Sequence, residues 1–398
     1  MKVLMPLVVL LSLCSFSNAQ EKDLDFYISK NKKSQFKYDA QKIQEDSLQL
    51  RDSWISPIML NYNYSVSNPN VDEQTTQNAS IRVNQPVFAS GGIYYGIKYA
   101  NASKIYSNLS LELSKRALTK ETLSILIQIK QTTLLVEKQK LLIKNADINL
   151  AQIKEQYING QLDSGFLDNA MIERNSVIQA LYDIETTKEK LISKFKSLSD
   201  LDCEKVDLPK LKVLTKDEFL QNNLSLKMSR SEIEKNKYNK NVVRAKYLPS
   251  INLTAGYNWN KVGSEGTVLD SESDYYDYGF SVSIPLNINT FRDIESARID
   301  YLKSKVVEVD KKREIVSIFE QVMQNLKNYD KKMALALDNI DIYNRILDDT
   351  KILYKAGEKT KYDVELLQNS VSIQQIDYDR FGLDKQLELL TLYEMYKK

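Results

Sequence analysis

Histidine is absent from this 398-residue chain, and glycine and proline are scarce, at 11 and 7 residues. Without histidine no side chain has an ordinary pKa near neutrality, and the commonest ligand of catalytic zinc is missing. A Ser-His-Asp triad and an HExxH zinc site are therefore excluded. Average usage would put glycine and proline together near ~12% of a chain. So few breakers imply few turns and long uninterrupted elements, against an all-β fold and against an α/β fold cut up by loops. The charge balance, 55 Lys+Arg against 53 Asp+Glu, leaves no polycationic footprint, so no nucleic-acid partner is expected. Enzyme chemistry would have to rest on carboxylates, and no convincing pair stands out. Neither catalysis nor a cofactor or metal is expected; the six Met that remain after removal of the first 19 residues are scattered.

Residues 1–19 are expected to be a secretory signal peptide: Lys2, an apolar run to Leu13, then the small-residue end Ser17-Asn18-Ala19. Leu13 precedes Cys14 where a lipoprotein signal has a small residue, which speaks against acylation. Processing leaves Cys203 as the only thiol, so no internal disulfide is possible. No later stretch approaches ~18 continuous apolar residues. The mature chain is expected to be exported, and any membrane residence must use strands.

The chain carries an internal duplication with a period near 195 residues. Pro57 is answered by Pro249, and Asn31 by Asn223, at the same offset of 192. Gln85-Pro86-Val87-Phe88 is answered by Ile284-Pro285-Leu286-Asn287, and Tyr157-Ile-Asn-Gly160 by Tyr354-Lys-Ala-Gly357. This divides the chain into a first repeat (20–198), a linker (199–215) and a second repeat (216–398). Each repeat reads helix, strand pair, long helix, Gly turn, helix. The strand pairs, about 56–88 and 250–286, alternate strictly. Leu60, Tyr62, Tyr64 and Val66 oppose Asn61, Asn63 and Ser65, while Ala79, Ile81, Val83 and Val87 oppose Asn78, Ser80, Arg82 and Asn84. Ile251, Leu253, Tyr257 and Trp259 oppose Asn252, Thr254 and Asn258, and Tyr276 through Leu286 oppose Asp277, Gly279, Ser281 and Ser283. A tilted membrane strand needs ~9–11 residues. A soluble sandwich with one wet face would alternate too, but the wet face here lacks the usual Lys and Glu, which favours a polar lumen. Two hairpins cannot close a barrel in lipid, so several chains would have to share one.

No Gly or Pro interrupts 97–159 or 286–356, enough for rods of ~95–105 Å at ~1.5 Å per residue. The shorter helices, roughly 21–52, 166–200, 216–247 and 360–396, add up in pairs to the same lengths. Two short helices stacked end to end are therefore predicted to run antiparallel to each long one, with both tips far from the strands and the linker at mid-length. The apolar positions Leu134, Leu135, Leu141, Leu142, Ile148 and Ile153, and Ile315, Ile318, Val322, Leu326 and Met333, are expected to pack as core.

These features together resemble the outer-membrane efflux protein (TolC) family over nearly the whole mature chain. The specific marks are Pro249, Gln85-Pro86-Val87-Phe88 with Gly91-Gly92, Ile284-Pro285-Leu286, and the turns at Gly160 and Gly357. The resemblance implies a mainly α protein with membrane β, a homotrimer whose shared twelve-stranded outer-membrane β-barrel tops a periplasmic α-barrel. It also implies an exit duct that works with a periplasmic adaptor (membrane fusion protein) and an inner-membrane efflux pump or ABC exporter, in contact with outer-membrane lipid. The tips are about 157–168 and 354–365. Gly357-Glu-Lys359-Thr360-Lys-Tyr-Asp363-Val364 is similar to the family's tip motif, which implies that Tyr354 and Lys359 hold the pore entrance shut and that Asp363 lines its narrowest ring and attracts cations. Gly160, Gly357, Thr360, Asn169 and Ala170 then fall at the helix-tip turns and adaptor-docking positions. Thr360 to Asp363 also reads as a capping box, a role compatible with lining the pore. The first tip departs from the pattern, with Phe166 in place of the family's Asp, and Leu366 occupies a second ring position, so one aspartate ring is implied. Asp163 or Asp168 could substitute, although an exposed loop acid is commonly just solvated.

Two other readings stay open at this point. A periplasmic adaptor would carry a single helical hairpin, whereas two are present here. A secreted coiled-coil structural protein would leave the strand alternation unexplained.

Overall fold

The computed structural model describes residues 24–68, 73–264 and 271–397. The expected signal peptide, Cys14, the hairpin loop with Pro69 and Lys398 lie outside the described residues. A short 3-10 turn, Leu24–Tyr27, precedes helix α1, Lys30–Arg51. Strands β1 (Met59–Ser67) and β2 (Gln74–Phe88) follow, then the long helix α2 (Gly92–Ile158) and α3 (Ser164–Leu198). The order then recurs: α4 (Lys216–Gln221), α5 (Leu224–Ala245), β3 (Ser250–Ser264), β4 (Ser271–Ser283), α6 (Thr290–Lys355) and α7 (Lys361–Met395). The long helices have 67 and 66 residues, about 100 Å each at ~1.5 Å per residue. No described helix is long and apolar enough to cross a membrane.

Short helices do stack end to end along the long ones. α1 and α3 both pack on α2, and α5 and α7 both pack on α6 and α2. At the first joint the Ser29 amide donates to the Leu198 carbonyl at 2.9 Å; at the second, the Lys397 amide donates to the Asn222 carbonyl at 3.1 Å. These joints correct two expected helices. The first begins at Lys30, capped by the Ser29 hydroxyl, and not near 21. The helix expected over 216–247 is broken at 222–223, because the Asn223 side chain accepts from the Leu226 amide and opens α5 as an N-cap. Asn223 is fully buried and bridges to Tyr396, so the break is where the incoming chain of α7 ends.

The core lies at this equator. Tyr27, Leu123, Leu126, Ile127, Ile129, Phe195, Cys203 and Leu390 form one cluster, joined by Val206, Leu208 and Leu211 of the linker. Phe219, Leu226, Ile315, Phe319, Val322, Leu326, Leu392 and Tyr393 lead the other. The Tyr27 hydroxyl donates to the Asp207 carbonyl at 2.8 Å, holding the linker down. Ile148, Ile315, Val322 and Leu326 are buried as expected, but Leu134, Leu135, Leu141, Leu142, Ile153, Ile318 and Met333 are only half-buried. Away from the equator the helices form a single layer, so a stripe facing one neighbour keeps an open flank. Among the described residues the linker and the Leu24–Tyr27 turn pack onto this layer at the equator.

The strands form one antiparallel sheet in the order β1-β2-β3-β4. Leu60, Ile81, Tyr257 and Tyr276 share one row, so the four apolar faces coincide. Two expectations fail here. Val87 was expected to continue the apolar face of Ala79, Ile81 and Val83, but the register shifts between Pro86 and Phe88, so Phe88 takes that place opposite Ile251; Pro86 has no N–H for the ladder, and the extra residue is accommodated as a bulge. β4 ends at Ser283, leaving Ile284 and Leu286 outside the strand, since Pro285 cannot continue the ladder. Every residue of β1 and β4 is exposed, including Leu60, Tyr276, Tyr278 and Phe280, each 73% or more. A soluble sheet would cover such side chains, each worth about 1.5–3 kcal/mol of burial.

Candidate functional site: the helical tips

Both tips are built by the same backbone device. α2 ends at Ile158, and Gly160 takes a left-handed φ of 69°. The Gly160 amide donates to the Tyr157 carbonyl and the Gln161 amide to the Gln156 carbonyl. At the second tip Gly357 has φ 83°, and the amides of Gly357 and Glu358 donate to the carbonyls of Tyr354 and Leu353. This is a Schellman closure, which uses the conformation glycine adopts without a Cβ penalty. Equivalent glycines therefore reverse the chain at the tip of each rod.

The returning helices start differently. Thr360 caps α7: its hydroxyl oxygen accepts from the Asp363 amide at 3.2 Å, while the Asp363 carboxylate accepts from the Thr360 amide and hydroxyl, both at 2.8 Å. The capping box read from Thr360 and Asp363 is thus present. The Thr360 amide, then its hydroxyl, hold the Asp363 carboxyl below its ordinary value, partial desolvation opposes them, and the Lys359 ammonium adds to the lowering. A depressed carboxyl contributes stability above its unfolded pKa, 3.8, and loses it as pH falls through the folded value. The first turn of α7 is therefore expected to fray only below about pH 4, and Thr360→Ala to cost about 1 kcal/mol locally at neutral pH. Amide exchange over 361–365 checks both; protection unchanged by Thr360→Ala would remove the cap from the account.

At the first tip Asp163 caps α3 by accepting from the Gly165 amide at 2.8 Å. Phe166 is 53% exposed, with Ile158 and Ile172 more so. Asn169 is exposed, but Ala170 is 4% exposed and buried inside the α2–α3 hairpin. The small side chain of Ala170 lets the two helices approach closely. Lys359 is exposed beside Asp363. Tyr354, 45% exposed, makes no side-chain hydrogen bond among the described residues, so the three residues expected at the entrance are neighbours of one turn and not a bonded lock within one chain.

A polar seam between α2 and α7 was not read from the sequence. Gln131 pairs with Asp384 at 2.7 Å, Lys138 with Asp377 at 2.7 Å, and Asn145 with Asn369 at 2.7 Å. Lys120 meets Glu394 at 2.7 Å below, and the Tyr362 hydroxyl reaches Glu155 at 3.4 Å beside the tip. The seven-residue spacing of 131, 138 and 145 was the available signal, a coiled-coil period carried by polar residues.

With this geometry, residues 216–396 match the sequence profile described as outer membrane efflux protein. No curated protein sequence matches the chain significantly. Among solved structures, the outer membrane protein VceC of Vibrio cholerae is similar over 94% of this chain and 95% of its own, with TM-score 0.71 and 13% identity. The CmeC outer membrane channel of Campylobacter jejuni is similar over 94% and 85%, with TM-score 0.72 and 14% identity. The MtrE outer membrane channel of Neisseria gonorrhoeae, in its open state, is similar over 94% and 87%, with TM-score 0.63 and 13% identity.

Proposed function

We propose that this chain is the exit duct of a tripartite efflux or type I secretion system, because residues 216–396 match the outer membrane efflux protein profile and the fold is similar to that of such channels. It would conduct substrates passively through the periplasm and outer membrane, with a removed signal at 1–19, two repeats at 20–198 and 216–398, and the linker 199–215 at the equator. The observation that carries the reading is an unfinished edge on each side. β1 lies at one edge of the sheet and β4 at the other; α1 and α3 lie on one flank of the helices, α6 on the opposite flank. Left and right edges differ, so copies associate head to tail, and a head-to-tail contact that closes makes a ring. Three copies closing β4 onto β1 would leave no strand edge and present the apolar rows to lipid and the polar rows to a lumen.

The tips then face the inner membrane, where exposed Ile158, Phe166, Ile172 and Ile352 suit a periplasmic adaptor, itself bound to an inner-membrane efflux pump or ABC exporter. Asp363 would form the narrowest ring, with Lys359 and Tyr354 holding the entrance. Purified protein is expected to run as heat-stable trimers and to conduct in planar bilayers; a monomer confined to the soluble periplasm would sink the reading. Asp363→Ala is expected to weaken block of the channel by multivalent cations, since removing an acidic ring removes their binding site. Unchanged block would take Asp363 out of the constriction.

A further inference from the structure

The polar face of the sheet is almost without charge. Asn, Ser and Thr dominate it on all four strands, and among the described residues only Arg82 and Asp277 carry charge there. The other charged strand residues next to them in sequence, Lys261, Glu272 and Asp274, belong to the apolar face near its loop end. Arg82, Gly256 and Asp277 lie in one row across β2, β3 and β4. A Cβ on Gly256 would come within 2.9 Å of the Asp277 Oδ1 and 3.4 Å of the Arg82 Nε. The glycine is thus a gap over which both side chains lean towards each other. Arg82 Nη2 stands 3.8 Å from Asp277 Oδ1. Asn258, 7% exposed, links them: its Nδ2 donates to Asp277 Oδ1 at 2.8 Å, and its Oδ1 accepts from Arg82 Nη2 at 3.4 Å.

A pair whose side chains are 56% and 46% exposed contributes little to stability, so holding the sheet together does not account for it. On the wall of a water-filled conduit the same charges dominate the local potential, because nothing else on that face competes. We infer that Arg82 and Asp277 set the charge preference of the outer-membrane segment: each chain contributes one cation and one anion at one level, so the wall is neutral and passes solutes of either sign. This rests on the channel reading, and it adds a site far from the tips.

The test is the reversal potential of the full-length trimer in planar bilayers under a KCl gradient. Arg82→Gln leaves a ring of unpaired carboxylates and is expected to shift the permeability ratio towards cations, roughly twofold at ~0.1 M salt or below, where the Debye length of ~10 Å or more reaches into the lumen. Asp277→Asn is expected to shift it towards anions by a similar factor. The double variant and the charge-preserving Arg82→Lys should return to the wild-type ratio. Heat-stable trimers that conduct with unchanged ratios in both single variants would overturn the assignment while leaving the channel reading intact. A wild-type trimer that does not conduct would overturn both.

Discussion

Leu60→Arg is expected to abolish assembly in the outer membrane while leaving the helices folded. Leu60 is 73% exposed in the row that runs through Ile81, Tyr257 and Tyr276. If that face meets lipid, an arginine near the bilayer midplane costs about 2–4 kcal/mol per copy, and a ring of three bears it three times. Asn61 is the control. It is the next residue in β1 but points to the opposite face, opposite Ser80, so Asn61→Arg should assemble normally. Membrane fractionation with heat-modified gel mobility reads the assembly, and far-UV circular dichroism reads the helices. Equal assembly of the two variants would mean that the apolar face does not contact lipid.

Phe195→Ala is expected to have the largest effect on the helical part. Phe195 is fully buried near the end of α3, among Tyr27, Leu123, Leu126 and Leu390, beside the joint where the Ser29 amide meets the Leu198 carbonyl. Truncating a buried phenylalanine costs about 3–5 kcal/mol through lost burial and the cavity left behind. The rods have little core elsewhere to share the loss. Phe166→Ala, at the exposed first tip, should change stability by no more than about 0.5 kcal/mol. Urea midpoints of the purified protein compare them, and similar midpoints for the two variants would show that the equator is not the stability centre.

The parts of the molecule that were legible in advance are those decided by a residue and its immediate neighbours. Gly160 and Gly357 announced the tips because a left-handed turn strongly favours glycine. Thr360 and Asp363 announced a capping box because its bonds span only three residues. The residues proposed for the entrance came from resemblance alone, and within one chain they share a turn without a bond between Tyr354 and Asp363. The break at Asn223 and the seam from Gln131 to Asn145 stayed hidden. Both depend on partners far along the chain, Tyr396 in one case and α7 in the other.

By itself, then, the sequence determined the long rods, the alternating strands, the turning points and the stacking of short helices on long ones. Breaker placement and side-chain period are local quantities, and helix length follows from residue count. Only the tertiary structure decided where the core lies, since half-exposed stripes such as Leu134 and Leu141 look like buried ones until the linker is seen to cover Leu123 to Ile129 instead. It also decided the strand register past Pro86 and the meeting of Arg82 with Asp277 over Gly256. Pairing across strands is set by hydrogen-bond ladders between distant segments, and a one-residue bulge is enough to move every contact beyond it.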